Sequence, residues 1–301
     1  MPRPDDDFDD DRPRRRPRDE DEDDRPARRR RNEDDDYPPR KKSNAGLIVG
    51  ILVGAFVLCC GGGGFLAYFV VRGAKEGLNK AMEVVQEANE AQQSETRLTE
   101  IGTAMQKHHD ALATFPNNSF ETGGNGSRPL LSWRVHLLPY LGQDALYKQF
   151  KLDEPWDSPN NIKLLTRMPD VYGSPEARKK AGDGKTFYRG FTAPGGIFEK
   201  PPRPGDPVPR IKITDIPDGT VNTILVIDAG EAVEWTKPDD LDFSPGRPRP
   251  ALGGAYPNFP QVVVLMADGK VRMLTRSVPD QDLRLLIDRK DGKPTPAGWL
   301  Q

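Results

Sequence analysis

AKEGLNKAMEVVQEANEAQQSETRLTEIGTAMQKHHDAL, residues 74–112, is the stretch whose reading decides the fold. It holds no proline and is rich in Ala, Glu, Gln, Lys and Met, all good helix formers. Leu98, Ile101, Met105, His108 and Leu112 recur at three- and four-residue spacing, the stripe that one buried helix face requires. Leu78, Met82 and Val85 share that spacing, and Asn89 to Thr96 between the two sets is polar. The pattern predicts a long helix over 72–115 that crosses an exposed stretch and then seats one face on a folded domain. Phe115-Pro116 ends it, because proline lacks the N–H the helix needs.

Upstream, residues 45–71 read AGLIVGILVGAFVLCCGGGGFLAYFVV without one charge. As a helix this run is about 40 Å long against roughly 30 Å of hydrocarbon, enough to span a bilayer with some tilt. Leu, Ile, Val and Phe fill fourteen of its positions and outweigh its glycines. It lies far from the start and no small-x-small site follows, so the expectation is an uncleaved anchor and not a signal peptide. Arg28 to Arg31, Arg40, Lys41 and Lys42 precede it, and only Arg72, Lys75 and Lys80 follow closely. The positive-inside bias puts the N-terminus in the cytoplasm and the large C-terminal domain outside. Gly46, Gly50 and Gly54 recur every four residues, the spacing that lets two membrane helices approach, and make self-association through the span a candidate. Gly61 to Gly64 are expected to loosen the helix. Cys59 and Cys60, the only cysteines, read as apolar fillers, since neighbouring cysteines rarely pair.

Residues 1–44 carry alternating blocks of Asp and Arg with Phe8 and Tyr37 as the only large side chains. Such a segment cannot repay the entropy of ordering and reads as a disordered polyampholyte. Its acidic blocks cancel its basic ones, and the whole chain has a net charge of −2. Nucleic-acid binding, which needs a net positive surface to release counterions, is therefore not expected.

Downstream of Asn117 the chain turns to short segments punctuated by Gly and Pro. Strands are expected at Thr186–Phe191, Thr223–Asp228, Val262–Met266 and Val271–Leu274. The last two flank Asp268-Gly269, a strong hairpin signal. Asn161–Met168 and Asp282–Asp288 read as short helices. One long helix followed by strands gives an α+β fold, with 116–301 as the sheet-bearing domain.

Site chemistry is sparse. There is no nucleophile elbow, P-loop, dinucleotide fingerprint or metal-binding cysteine pair, so neither a cofactor nor a metal is expected. His108 and His109 are adjacent and point apart on a helix, and only His136 remains, a poor set for zinc. Asp153, Glu154, Asp157, Asp228, Glu231 and Glu234 leave a glycosidase-type carboxylate pair as one alternative. Trp133, Trp156, Trp235 and Tyr256 leave another, an extracytoplasmic module stacking its aromatics on a glycan. The Pro-rich loops Lys200–Arg210 and Asp242–Pro250 suit contact with a partner or plain connection.

The run SWRVHLLPYLGQDALYKQFKLDEPWDSPNN (132–161) closely resembles a family of planctomycete proteins described as domain of unknown function 1559. IGTAMQKHHDALATFPNN (101–118), ITDIPDGTVNTILVIDAGE (213–231) and VVVLMADGKVRML (262–274) match it too. Typical members resemble pilins and pseudopilins. The resemblance therefore implies a long pilin-like helix packed on an antiparallel sheet, an envelope location, and a structural or interaction role without catalysis. Two positions depart from the family. The prepilin signature is missing from the entry to the apolar run, which reads KSNAGL, so a permanent membrane anchor replaces peptidase cleavage. The family's C-terminal mark is a histidine, nine residues, then Asp-Gly. Asp268 and Gly269 are present, but Asn258 stands at the histidine position.

Overall fold

The computed structural model describes residues 63–122, 128–294 and 298–301, with side chains from residue 72 onward. The charged tail 1–44, Gly46, Gly50, Gly54, Cys59, Cys60 and the apolar run as far as residue 62 lie outside the described residues. Among the described residues, no helix is long and apolar enough to cross a membrane.

Helix α1 is Gly63–Leu112, fifty residues without a break. It begins earlier than the expected 72, and it ends three residues before Phe115. Its stop is Ala113 in the left-handed region (φ 58), after which the Phe115 amide donates to the Ile211 carbonyl at 2.8 Å. Short helices follow: α2 (Trp133–His136), α3 (Asp144–Tyr147), a 3-10 turn at Asn161–Arg167 and α4 (Pro175–Ala181). The strands are β1 (Lys185–Arg189), β2 (Ile224–Glu234), β3 (Gln261–Met266) and β4 (Val271–Thr275), and α5 (Asp280–Ile287) comes last.

The four strands form one antiparallel sheet in sequence order. On β3, Val263 and Leu265 join the cluster that contains Leu98, Ile101 and Met105 of α1. Val262, Val264 and Met266 join the opposite cluster with Leu283 and Leu286 of α5. Alternate side chains of a strand point to opposite faces, and here both faces are covered. That is why the strand reads as an unbroken apolar run, VVVLM, and not as an alternation. The β3–β4 turn closes through the Gly269 amide on the Met266 carbonyl at 2.9 Å, with Gly269 at φ 81. A side chain at that φ would be strained, so the Asp-Gly pair specifies the turn.

Candidate functional site: the seam under helix α1 and its exposed end

Helical spacing places Glu87, Glu90, Ala91, Ser94, Leu98, Ile101 and Met105 on one face of α1, and all are buried. The stretch 89–96, read as an exposed polar crossing, is thus half of the contact. Its buried polar groups have partners from the domain. Glu87 accepts from the Asn258 amide at 2.9 Å and from Asn258 Nδ2 at 3.0 Å. Glu90 accepts from the Ser174 hydroxyl, which also caps α4. Ser94 Oγ lies 2.7 Å from the Tyr188 hydroxyl and donates to Asp228 Oδ2 at 3.2 Å. The other Asp228 oxygen is buried without a hydrogen-bond partner. Burial raises the Asp228 carboxyl to about 7, and the Ser94 hydroxyl, the Ala255 amide and the Tyr256 hydroxyl offset only part of that cost. Burial likewise pushes the Tyr188 hydroxyl up.

Further along, the β3–β4 turn rests on the helix. A Cβ at Gly102 would stand 2.7 Å from the Gly269 carbonyl oxygen and 2.7 Å from Leu265 Cδ1. Gln106 donates to the Ala267 carbonyl at 3.1 Å, and Asp268 pairs with Arg272 at 3.1 Å. Asn258 therefore holds α1 near residue 87, and the Asp268-Gly269 turn holds it near residue 102.

Toward its N-terminal end α1 leaves the domain. Every residue from 72 to 86 is exposed, including Leu78 at 61%, Met82 at 62% and Val85 at 62%. Among the described residues nothing covers this stripe, and a contiguous apolar stripe marks a contact surface more often than isolated apolar residues do.

The three histidines are placed apart in role. His109 Nε2 accepts from the Ile213 amide at 3.2 Å, and its ring packs on Phe115. His108 and His136 meet at a cleft of about 660 Å³ with Tyr140, Tyr147 and Arg210 on its walls. His108 Nδ1 donates to the Thr114 carbonyl at 2.8 Å, which leaves Nε2 as an acceptor. The Ser119 hydroxyl spends its proton on the Leu131 carbonyl, so His136 Nε2 donates to it at 3.1 Å. Burial is the main cause that lowers both imidazoles, His136 to about 4, so the cleft carries two neutral rings at pH 7. No group of three or more His, Cys, Asp or Glu among the described residues could hold a metal.

The glycan-stacking set is not assembled. Trp133, Trp235 and Tyr256 are fully buried, with Trp133 stacked on Phe198 and Trp235 on Tyr172. Only Trp156 is partly exposed, under the Lys237 ammonium 5.7 Å from its ring centre. The six acidic candidates do not converge either. Glu154 accepts from Ser158 and Asn160 within its turn, Glu234 pairs with Lys185, and Asp153, Asp157 and Glu231 are exposed. The His108–His136 cleft carries none of them, and neither does a second one of about 550 Å³ beside α5.

One buried hub escaped the reading of the sequence. The Arg134 guanidinium, wholly buried, donates to the Tyr188 carbonyl at 2.9 Å, the Ser132 hydroxyl at 2.7 Å and Asp240 at 3.2 Å. Asp240 also accepts from the Trp133 indole at 3.2 Å, the Gly190 amide at 2.8 Å and Asn118 at 2.7 Å. A lone charge inside the apolar block SWRVHLL was the available signal.

Set against known proteins, residues 86–256 match the family model described as "Protein of unknown function (DUF1559)". Asn258 and Asp268-Gly269 fall just beyond the matched stretch. No curated protein and no solved structure matches the chain.

Proposed function

The chain belongs to the DUF1559 family, and on that premise we propose that it is a membrane-anchored, pilin-like protein of a planctomycete-type bacterial envelope with a structural or interaction role and no catalysis. One observation carries the reading. Helix α1 is clamped to the sheet over its C-terminal half, and it presents an uncovered apolar stripe at Leu78, Met82 and Val85. In sequence it continues directly from the apolar run 45–71, which supplies the anchor. Asp228, the most buried of the acidic candidates, supports the non-catalytic part, because its neighbours hold the seam and it lines neither cleft.

The test is topology mapping in native cells, with S43C and S277C placed singly in a background lacking Cys59 and Cys60. Ser277 is exposed. Labelling of S277C but not S43C by an impermeant reagent is the expected result. The reverse pattern would put the domain in the cytoplasm and sink the envelope reading.

A second reading is an extracytoplasmic ligand-binding module, for which the cleft at His108 and His136 gives the specific observation. Two neutral imidazoles and two tyrosines suit a small polar ligand rich in hydrogen-bond donors. Binding to an array of soluble glycans and polyols, lost in H136L, would favour this reading over the first.

A further inference from the structure

The two edge strands of the sheet are finished in different ways. On β1, Tyr188 accepts from Arg134 Nε at 2.9 Å through its carbonyl and donates from its amide to the Thr186 hydroxyl at 3.1 Å, so side chains serve its backbone. On β4 a further extended segment takes that place. The Met273 amide donates to the Gln301 carbonyl at 3.0 Å, and the Gln301 amide donates back to the Met273 carbonyl at 3.0 Å. The Thr275 amide donates to the Trp299 carbonyl at 2.9 Å, and Leu274 stands opposite Leu300 in an antiparallel bridge.

We propose that residues 299–301 are a detachable fifth strand, and that the β4 edge they fill is a strand-addition site for the same segment of a second copy of this chain. Strand addition takes its affinity from backbone hydrogen bonds and its selectivity from seats for side chains. Three backbone bonds supply the first. For the second, the Trp299 indole donates to Asp282 Oδ2 on α5 at 2.8 Å, and Gln261 Nε2 donates to Gln301 Oε1 at 2.9 Å. Trp299 and Leu300 also pack against the cluster that holds Leu274, Val278 and Leu283. The edge thus reads an indole donor, an aliphatic side chain and an amide in consecutive positions.

The segment lies at the rim of that cluster. Trp299 and Leu300 are half-buried and Gln301 is exposed, whereas Leu274 beneath them is fully buried. Segments with few buried contacts open at a small fraction of the cost of global unfolding. Once this one opens, Met273 and Thr275 present unpaired backbone groups, the template on which another chain pairs. A second copy brings the same indole, aliphatic side chain and amide, so exchange replaces every contact by its identical counterpart. A partner of unrelated sequence has to supply all three again. The chain's own segment competes at an effective concentration of about millimolar. Exchange therefore follows crowding of the chain, or displacement of the segment and its return among many copies.

The experiment is disulfide trapping of the full chain in detergent, in the C59A/C60A background. Met273 and Gln301 are a hydrogen-bonded pair, whose Cα atoms stand about 5.5 Å apart in an antiparallel ladder, within the reach of a disulfide. M273C/Q301C in one chain is expected to oxidise to a monomer carrying an internal 273–301 bond. An equimolar mixture of M273C and Q301C chains, taken through mild urea and returned concentrated, is expected to give dimers whose peptide map joins 273 to 301. M273C mixed with S277C, an exposed position outside the segment, sets the background. Adding W299A/L300A to the Q301C chain should drop the yield to that background. Absence of the internal bond would remove the segment from β4 and the proposal with it. An internal bond without mixed dimers above background, or mixed dimers that W299A/L300A leaves unchanged, would overturn the exchange.

Discussion

Glu87 and Asn258, 171 residues apart in sequence, meet through two hydrogen bonds, one from the Asn258 backbone amide and one from its side-chain amide. Glu87 is buried, so a lost donor leaves a carboxylate without its compensation. N258A is expected to destabilise the protein by about 1–3 kcal/mol, and N258D by more, because it faces one carboxylate with another. N258H, which restores the residue the family resemblance implies, keeps a donor and should cost least. Urea unfolding of the three variants in detergent checks the order. Equal midpoints for N258D and wild type would remove Glu87 and Asn258 from the account of how α1 is held.

Two glycines of α1 should respond to the same substitution with opposite signs. Gly102 lies against the Gly269 carbonyl and Leu265, and a Cβ there stands at 2.7 Å from both. The contact includes backbone, which cannot rotate away, so G102A is expected to cost about 1–3 kcal/mol. Gly77 is exposed with nothing within 4 Å of its built Cβ. There alanine adds only helix propensity and should stabilise α1 by roughly 0.5–1 kcal/mol. Denaturant midpoints measure the first, and helicity by circular dichroism measures the second. A neutral G102A would mean that the β3–β4 turn does not press on the helix.

The buried carboxyl of Asp228 makes stability depend on pH. Its folded value is raised to about 7, while an unfolded aspartate titrates near 4. Between these values the native state binds more protons than the unfolded one. Stability therefore falls as pH rises from about 4 to about 7, and the full cost remains above that. D228N removes this titration and is expected to stabilise the protein at pH 8 by about 2–4 kcal/mol relative to its effect at pH 4. His136 acts with the other sign. Its folded value is lowered to about 4, so the unfolded state takes up protons first and stability is lost as pH falls from about 6.5 toward 4. H136Q should flatten that acid limb alone. Thermal unfolding across pH 4–8 for the two variants separates the contributions, and parallel profiles for D228N and wild type would contradict the assignment.

Much of this arrangement was legible in the sequence, for identifiable reasons. The stripe Leu98, Ile101, Met105 and the Asp268-Gly269 turn are local signals, so the α+β architecture and the β3–β4 hairpin could be read directly. The burial of Glu87, Glu90 and Ser94 could not. Polar residues on a helix read as solvated unless their partners are known, and those partners, Asn258, Ser174 and Tyr188, come from three distant loops and strands. The same limit explains the aromatics. Tryptophans at 133 and 235 look alike whether they stack on a ligand or on each other's neighbours, and only the tertiary packing buries them on Phe198 and Tyr172. The His108–His136 pair was hidden because a loop brings together residues that no short motif connects.

The hub at Arg134 and Asp240 gives the last prediction. Both side chains are wholly buried, and the pair is 3.2 Å apart. Two opposing terms decide its worth: the cost of taking two charges out of water, and the gain from their attraction plus the surrounding hydrogen bonds. Here Asp240 gathers the Trp133 indole, the Gly190 amide and Asn118, and Arg134 gathers the Tyr188 carbonyl and Ser132, so most of the polar capacity of each is used. Desolvation still leads for Arg134, whose guanidinium is pushed down by burial and only partly restored by Asp240. Removing one partner leaves the other charge buried alone. R134M and D240N are therefore each expected to cost about 3–5 kcal/mol. The double variant should cost clearly less than the sum, because the second substitution removes the charge stranded by the first. A double-mutant cycle in urea reads that coupling directly. Additive losses would show that the pair is held by its separate hydrogen bonds and that the two charges do not depend on each other.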